Sequence, residues 1–212
     1  MRPQLQIALD VGSICEAKQI LTKEVLREVD IVEAGTLLLA AEGARAVKEL
    51  RKHIGAKKTL VADFKIADGA GVLASMFFDA GADLTTVIAA AGPDSMKKAQ
   101  EAARERGKEL QIELYGRWDL QLAKEWYKLG LHHIIFHHAR DGAHRWNAAD
   151  VERVRRLQEI GYQVSVTGGL DRESIRLFKE QPAFAFIAGR ALYGSKEPAK
   201  EAQALKEAMS GI

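Results

Sequence analysis

Thr59-Leu60-Val61-Ala62-Asp63-Phe64-Lys65-Ile66-Ala67-Asp68 opens as an apolar run and ends in three charges. Thr59 to Phe64 has the length and composition of a buried strand. Asp63 and Lys65 lie two apart, so an extended chain places both on one face. Asp68 follows once the chain has begun to turn. A carboxylate, an ammonium and a second carboxylate are therefore gathered at one point. Such a cluster is either an ion network at a strand end or a functional site, since neighbouring charges perturb one another's ionisation. The choice rests on how the other strands end.

Moving outward, short apolar runs alternate with amphipathic segments. Strands are expected at Leu5 to Leu9, Asp30 to Ala34, Leu84 to Ile88, Leu110 to Leu114, His133 to Phe136, Gln163 to Val166 and Ala183 to Ile187. Ser13 can cap a helix running to about Glu28, with Ile14, Ala17, Leu21 and Val25 as its inward stripe. Further helices are expected from about Glu42 to His53, from Gly71 to Ala80, from Pro93 to Gly107 and from Asp119 to Gly130. Others span Ala148 to Ile160, follow the Asp171 cap, and cover Pro198 to Met209. Proline opening a helix and glycine closing one is the expected asymmetry.

Eight strands and eight helices in strict alternation predict a parallel sheet, and eight even units predict a closed (β/α)₈ TIM barrel. One domain over residues 1–212 is expected, with no linker or low-complexity stretch. A doubly wound sheet fits less well. Its glycine fingerprint after the first strand is missing, since Leu9 is followed by Asp10-Val11-Gly12.

In such barrels the chemistry sits at the carboxyl ends of the strands. Here those ends carry Asp10, Glu33, the Asp63-Lys65-Asp68 group, Glu113, His137 with Arg140, Thr167-Gly168-Gly169 and Gly189-Arg190. Burying an unpaired charge is costly, so these groups must face one another, water or a ligand. Repetition at one end of the sheet favours the functional reading of the opening stretch. The glycines after the last two strands serve either as tight turns or as an anion cradle. Their place at strands seven and eight, together with Arg190, points to phosphate.

Glu33 and Asp63 end neighbouring strands and suit a hard divalent cation such as Mg²⁺. No cysteine pair or helical His-Glu-x-x-His supports zinc. Side chains alternate along a strand, so histidines 132, 133, 137 and 138 cannot all converge; only His137 is assigned to the pocket, with His132 and His133 at the outer, amino-terminal end of the sixth strand.

Bulk composition narrows the classes further. Lys and Arg total 31 against 29 Asp and Glu, a net charge of +2 that argues against nucleic-acid binding. The single cysteine, Cys15, forbids an intrachain disulfide and fits a reducing compartment. No charged-then-apolar leader and no membrane-length apolar run is present, so no membrane association and cytoplasmic residence are the expectations.

Asp-x-Lys-x-x-Asp at 63–68, after the third strand of a short barrel, resembles the signature of the orotidine-5′-phosphate decarboxylase suprafamily, whose fold is the ribulose-phosphate-binding barrel. Supporting segments are Leu-Gln-Ile-Ala-Leu-Asp at 5–10, Val-Asp-Ile-Val-Glu-Ala-Gly-Thr at 29–36, Gln-Ile-Glu-Leu at 111–114, Phe-His-His-Ala-Arg-Asp at 136–141, Val-Thr-Gly-Gly-Leu at 166–170 and Phe-Ile-Ala-Gly-Arg at 186–190. They span nearly the whole chain in family order.

The resemblance implies a metal-dependent lyase that decarboxylates a phosphorylated keto-sugar acid through an enediolate. It implies Mg²⁺ on Glu33 and Asp63, Lys65 at the enediolate, and Asp10 and Glu113 at the sugar hydroxyls. His137 and Arg140 would organise a reprotonating water. Thr167, Gly169, Gly189 and Arg190 would bind substrate at its phosphate end. Asp68 would enter the neighbouring subunit's site in a homodimer. Arg140, three residues beyond His137, separates this branch from the related aldolases that join formaldehyde to ribulose 5-phosphate. Glu33 stands where the metal-free orotidine decarboxylases carry a lysine. A catalytically silent sugar-phosphate-binding barrel is the alternative from another class. Two features depart from the family pattern: Tyr115 replaces a smaller residue, and the stretch 141–146 is short. Both bear on substrate preference.

Overall fold

In a computed structural model, residues 2–142 and 144–210 are described; residues 1, 143, 211 and 212, which the expected 1–212 domain and the short 141–146 stretch include, lie outside them. The strands are β1 (Gln4–Leu9), β2 (Ile31–Ala34), β3 (Thr59–Ile66), β4 (Leu84–Ile88), β5 (Glu109–Leu114), β6 (His133–His137), β7 (Gln163–Thr167) and β8 (Ala185–Ala188). All neighbours pair in parallel, and β8 returns to β1, closing the barrel in sequence order. The expected barrel is therefore observed.

Alternation along each strand divides the interior in two. Leu5, Ile7 and Leu9 of β1 belong to the main core between sheet and helices. Two small apolar clusters, one of Ile31, Val61, Leu84 and Ala185 and the other of Ala8, Ile135 and Ile187, come from the opposite strand faces and fill the barrel itself. Gln6, Gln111 and Ser165 are fully or nearly fully buried alongside them. The barrel interior is thus apolar below, polar in part midway, and charged at the carboxyl end.

The described residues form eleven helices: α1 (Ile14–Ile20), α2 (Lys23–Glu28), α3 (Thr36–Glu42), α4 (Ala44–Ile54), α5 (Ala70–Asp79), α6 (Pro93–Glu105), α7 (Leu120–Lys128), α8 (Ala148–Ile160), α9 (Arg172–Arg176), α10 (Arg190–Tyr193) and α11 (Pro198–Met209). The expected helix from Ser13 to Glu28 is two. Ser13 caps the first, and the chain restarts at Thr22, whose hydroxyl accepts from the Val25 amide. The second expected helix is preceded by an additional one, α3, ended by Gly43 at φ 61°. Four-residue α10 was not expected. Asp119 and Asp171 cap α7 and α9 as anticipated.

The amino end of the barrel is held by partly exposed ion pairs. Asp83, just before β4, accepts from the Leu60 amide, from Arg51 of α4 and from Lys108 before β5. Asp30 likewise accepts from the Leu5 amide and from Arg2. Each carboxylate joins neighbouring strand starts. His133, at this same end, pairs with Glu109 at 2.9 Å, and its burial lowers its pKa. It shares a strand face with His137 but stands at the opposite end of β6, away from the pocket.

Burial works to raise the Asp83 carboxyl, but bonds from Lys108 and Leu60 and the charge of Arg51 outweigh it and hold the pKa below the usual range. A depressed folded pKa contributes stability above the unfolded value, near 4, and that contribution is lost as pH falls through the folded one. Asp83→Asn is expected to cost about 1–2 kcal/mol at pH 7, a figure reduced for partial solvent screening. In urea unfolding, the gap to the parent chain should narrow as pH drops below about 4; a gap independent of pH would contradict the electrostatic account.

Candidate active site

A cavity of about 170 Å³ opens at the carboxyl end of the barrel. Asp10, Glu33, Asp63, Lys65, Glu113, His137, Arg140, Thr167, Gly169, Gly189 and Arg190 all line it. Of the residues expected at the site, Asp68 alone is missing from its walls; it is exposed on the loop before α5. His138 also borders the cavity, where only His137 was expected; the chain has left β6 by then, so the strand period no longer holds. The short stretch around 141–146 contributes Gly142 and His144 to the rim.

Asp63 and Lys65 reach one face by a route other than regular extension. Ala62 pairs with Thr85 and Ile66 with Val87, so four residues of advance along β3 match two along β4. The surplus bulges out. Lys65 takes φ 53°, the sole positive φ among the described non-glycine residues. Phe64 turns outward onto Phe77, with ring centres 5.0 Å apart. The displaced Lys65 amide donates instead to the Thr86 hydroxyl at 2.8 Å, and that hydroxyl donates to Asp63 Oδ1 at 2.8 Å.

The ammonium is then enclosed. Lys65 Nζ donates to Asp63 Oδ2 and, at 2.8 Å, to Thr36 Oγ1, which itself donates to Asp63 Oδ2 at 2.8 Å. Glu113 Oε2 lies 3.1 Å from Nζ. Burial by itself would lower the Lys65 pKa, but the charges of Asp63 and Glu113 outweigh it and hold it above the usual lysine range. Asp63 is pushed up by burial and pulled down further by Lys65 and its hydrogen bonds, so it stays below the usual carboxylate range. The pair is ionised throughout the neutral range.

Glu33 behaves differently. Burial, then the charge of Asp63, raises its carboxyl well above the ordinary value, and Lys65 offsets this only in part. Gln6, one layer deeper in the barrel, donates to Glu33 Oε2. Glu113 is also raised, chiefly by burial and by Asp63. Its Oε1 bonds His137 Nδ1, which orients the imidazole with Nε2 free to face the cavity. Asp63 and Glu113 thus contact the enclosed ammonium, while Glu33 stands beside them among acidic oxygens with no cation of its own among the described residues. Oxygen ligands with excess charge suit a hard divalent cation. Among the described residues no group of three His, Cys, Asp or Glu is arranged to hold a metal, so such an ion would depend on water or substrate oxygens as well.

At the opposite wall, Arg140 lies 3.8 Å from Asp10 and is half-exposed. Gly168 and Gly169 have φ of 98° and 64°, a paired left-handed turn that glycine alone adopts readily and that exposes successive amides. Arg190 opens α10 on the same rim. Cationic and acidic halves therefore divide the cavity.

Three polar residues escaped the sequence reading: Thr36, Thr86 and Gln6. Each is uncharged and so does not stand out in a strand or turn, although Thr86 shares its strand face with Leu84, which points into the barrel. Tyr115 stays outside the cavity wall, its ring centre 6.1 Å from that of His137.

A model of the orotidine 5′-phosphate decarboxylase / HUMPS family matches residues 3–205. The chain belongs to this family. An Escherichia coli K12 relative named 3-keto-L-gulonate-6-phosphate decarboxylase is 43% identical over 205 residues, covering 95% of this chain and 92% of the relative. Among solved structures, a ligand complex of KGPDC from Streptococcus mutans superposes with a TM-score of 0.94 at 37% identity, covering 98% of this chain and 97% of that one. The family likeness extends to 3-hexulose-6-phosphate synthase from Salmonella typhimurium, with a TM-score of 0.89, 26% identity and 98% coverage of both chains.

Thr86→Val removes one acceptor and one donor at the β3 bulge while keeping shape. Roughly 1–3 kcal/mol of stability should be lost, because the Lys65 amide and Asp63 Oδ1 each lose their partner. Thr85→Val, which forfeits a single bond to the Ala62 carbonyl, should cost less when both are compared by urea unfolding; equal losses would show that the bulge does not depend on Thr86.

Proposed function

We propose that this protein is a Mg²⁺-dependent 3-keto-L-gulonate-6-phosphate decarboxylase, forming L-xylulose 5-phosphate and CO₂. The observation that carries the reading is the enclosed Lys65 ammonium, fixed between Asp63 and Glu113 at one end of a cavity whose other end is an anion cradle. The relatives named for this activity support it.

The substrate is a β-keto acid. Its bond from C2 to the carboxylate carbon breaks, the electron pair passes through C2 to the C3 oxygen, and CO₂ leaves a cis-enediolate. Lys65 is a fixed positive charge for the oxygen that becomes negative, and it needs no reorganisation as charge develops. His137, oriented by Glu113, and Arg140, beside Asp10, hold the water that returns a proton to C2. Asp10 and Glu113 accept from sugar hydroxyls. Thr167, Gly169, Gly189 and Arg190 hold the 6-phosphate, whose binding positions the reacting end. Glu33 and Asp63 would hold Mg²⁺, which as a Lewis acid supplies further stabilisation of the developing oxyanion. The crowding of Glu33 and Asp63, which raises the Glu33 carboxyl and which a cation would relieve, supports that assignment.

The dimer reading rests on Asp68, which stands outside the cavity of its own chain. Val72 and Met76, one turn apart on the helix that follows, are 77% and 41% exposed. A second copy packed on that face would cover them and carry Asp68 toward its neighbour's cavity. Among the described residues no helix is long and apolar enough to cross a membrane. The protein is expected to act in the cytoplasm.

One assay on two substrates separates the readings. With 3-keto-L-gulonate 6-phosphate and Mg²⁺, CO₂ release is expected, and Lys65→Ala should reduce it by at least about 10²-fold. Aldol product from formaldehyde and ribulose 5-phosphate, without CO₂ release from the keto acid, would transfer the assignment to the synthase. Binding without turnover of either would leave a silent sugar-phosphate barrel. Separately, mixing Lys65→Ala with Asp68→Ala subunits should restore part of the activity through hybrid dimers; no recovery after demonstrated subunit exchange rules out the shared site.

A further inference from the structure

His138 follows His137 but points away from it, and its contacts form a chain leading to the anion loop. Its ring stacks on Trp146, with centres 4.1 Å apart and planes 17° from parallel. Nε2 lies 3.4 Å from Oδ1 of Asp150, a carboxylate only 5% exposed. Asp150 is itself anchored, because its Oδ2 accepts from the Asn147 amide at the start of α8. Trp146 is buried against Phe136 and Phe178, and its indole N–H donates to the Gly168 carbonyl at 2.7 Å. The His138 amide donates to the Thr167 carbonyl at 3.0 Å, carrying the ladder between β6 and β7 one bond past the strand ends.

These contacts meet at Gly168. A Cβ there would collide with the His138 carbonyl oxygen, and φ of 98° is unfavourable for any side chain. The β6 and β7 loops therefore touch backbone to backbone. With its carbonyl fixed outward by Trp146, the peptide following Gly168 has its amide, that of Gly169, turned toward the cavity.

We propose that His138 and Trp146 are positioning residues for the anion-binding loop: Asp150 holds the imidazole, the stacked imidazole fixes the indole, and the indole fixes the Gly168 peptide. The inference rests on the reading that a phosphate binds at Gly169, Gly189 and Arg190. Neither side chain needs to touch substrate. Their effect should therefore fall on binding of the phosphate end and leave the reacting end unaltered.

Trp146→Phe keeps the packing and removes the N–H. KM for the phosphorylated substrate should rise about 5–10-fold, as for a lost hydrogen bond, with kcat within about twofold of the parent. The inhibition constant of inorganic phosphate should rise in parallel. His138→Ala should shift the same quantities, and His138→Phe, which restores an aromatic face for the stack, should return part of the loss. Urea midpoints recorded on each variant confirm that folded protein is compared, and the His138 pair supplies the test if Trp146→Phe does not fold. A fall in kcat at unchanged KM, or no change in either, overturns the proposal. Arg190→Ala distinguishes the two layers of the inference. If it weakens phosphate inhibition while Trp146→Phe and His138→Ala do not, the positioning proposal alone fails; if it leaves both KM and phosphate inhibition unchanged, the phosphate reading fails and the proposal with it.

Discussion

The Lys65 ammonium between Asp63 and Glu113 is the contact on which the upper half of the barrel depends. Carboxylates from β3 and β5 meet there across the intervening β4, and Thr36 and Thr86 supply the neutral donors that complete the arrangement. Without the cation, Asp63, Glu113 and Glu33 would share one buried space with no compensating charge, which low-dielectric surroundings make strongly unfavourable. The left-handed backbone at Lys65 is tolerated because this network over-determines it.

That arrangement also explains why the two ends of the barrel differ. At the amino end, Asp83 and Asp30 tie strand starts to one another, with each carboxylate satisfied by amides and basic side chains. At the carboxyl end, Glu33 remains imperfectly compensated and Arg140 is half-exposed. Stabilising charges are paired off; the charges at the cavity are left with capacity for a ligand. The division matches the general separation in this fold between a stability face and a chemistry face.

The barrel was legible because its strands are short apolar runs that end in ionisable residues, an anomaly easily seen against hydrophobic neighbours. The same anomaly exposed Asp10, Glu33, Asp63, Lys65, Glu113 and His137 as cavity residues. Uncharged partners carried no such mark: Thr36 reads as a turn residue, Thr86 as an ordinary strand residue, and Gln6 as a polar interruption. The break at Thr22 was hidden because Ile14, Ala17, Leu21 and Val25 keep helical spacing through it, so the stripe continues where the backbone does not. Four-residue α10 is too short to carry any period. The bulge in β3 depends on pairing with β4, a non-local property that local periodicity cannot reveal.

The bulge has an evolutionary consequence. Because the Lys65 amide is satisfied by a neighbouring side chain and not by the ladder, positions 65 and 86 behave as one unit of inheritance. A drifting sequence cannot lose the Thr86 hydroxyl first and then retune the lysine, since the intermediate leaves an amide without an acceptor. Changes at the two positions should show epistasis even though one carries a charge and the other does not. The end of the third strand is locked to a neutral residue on the fourth.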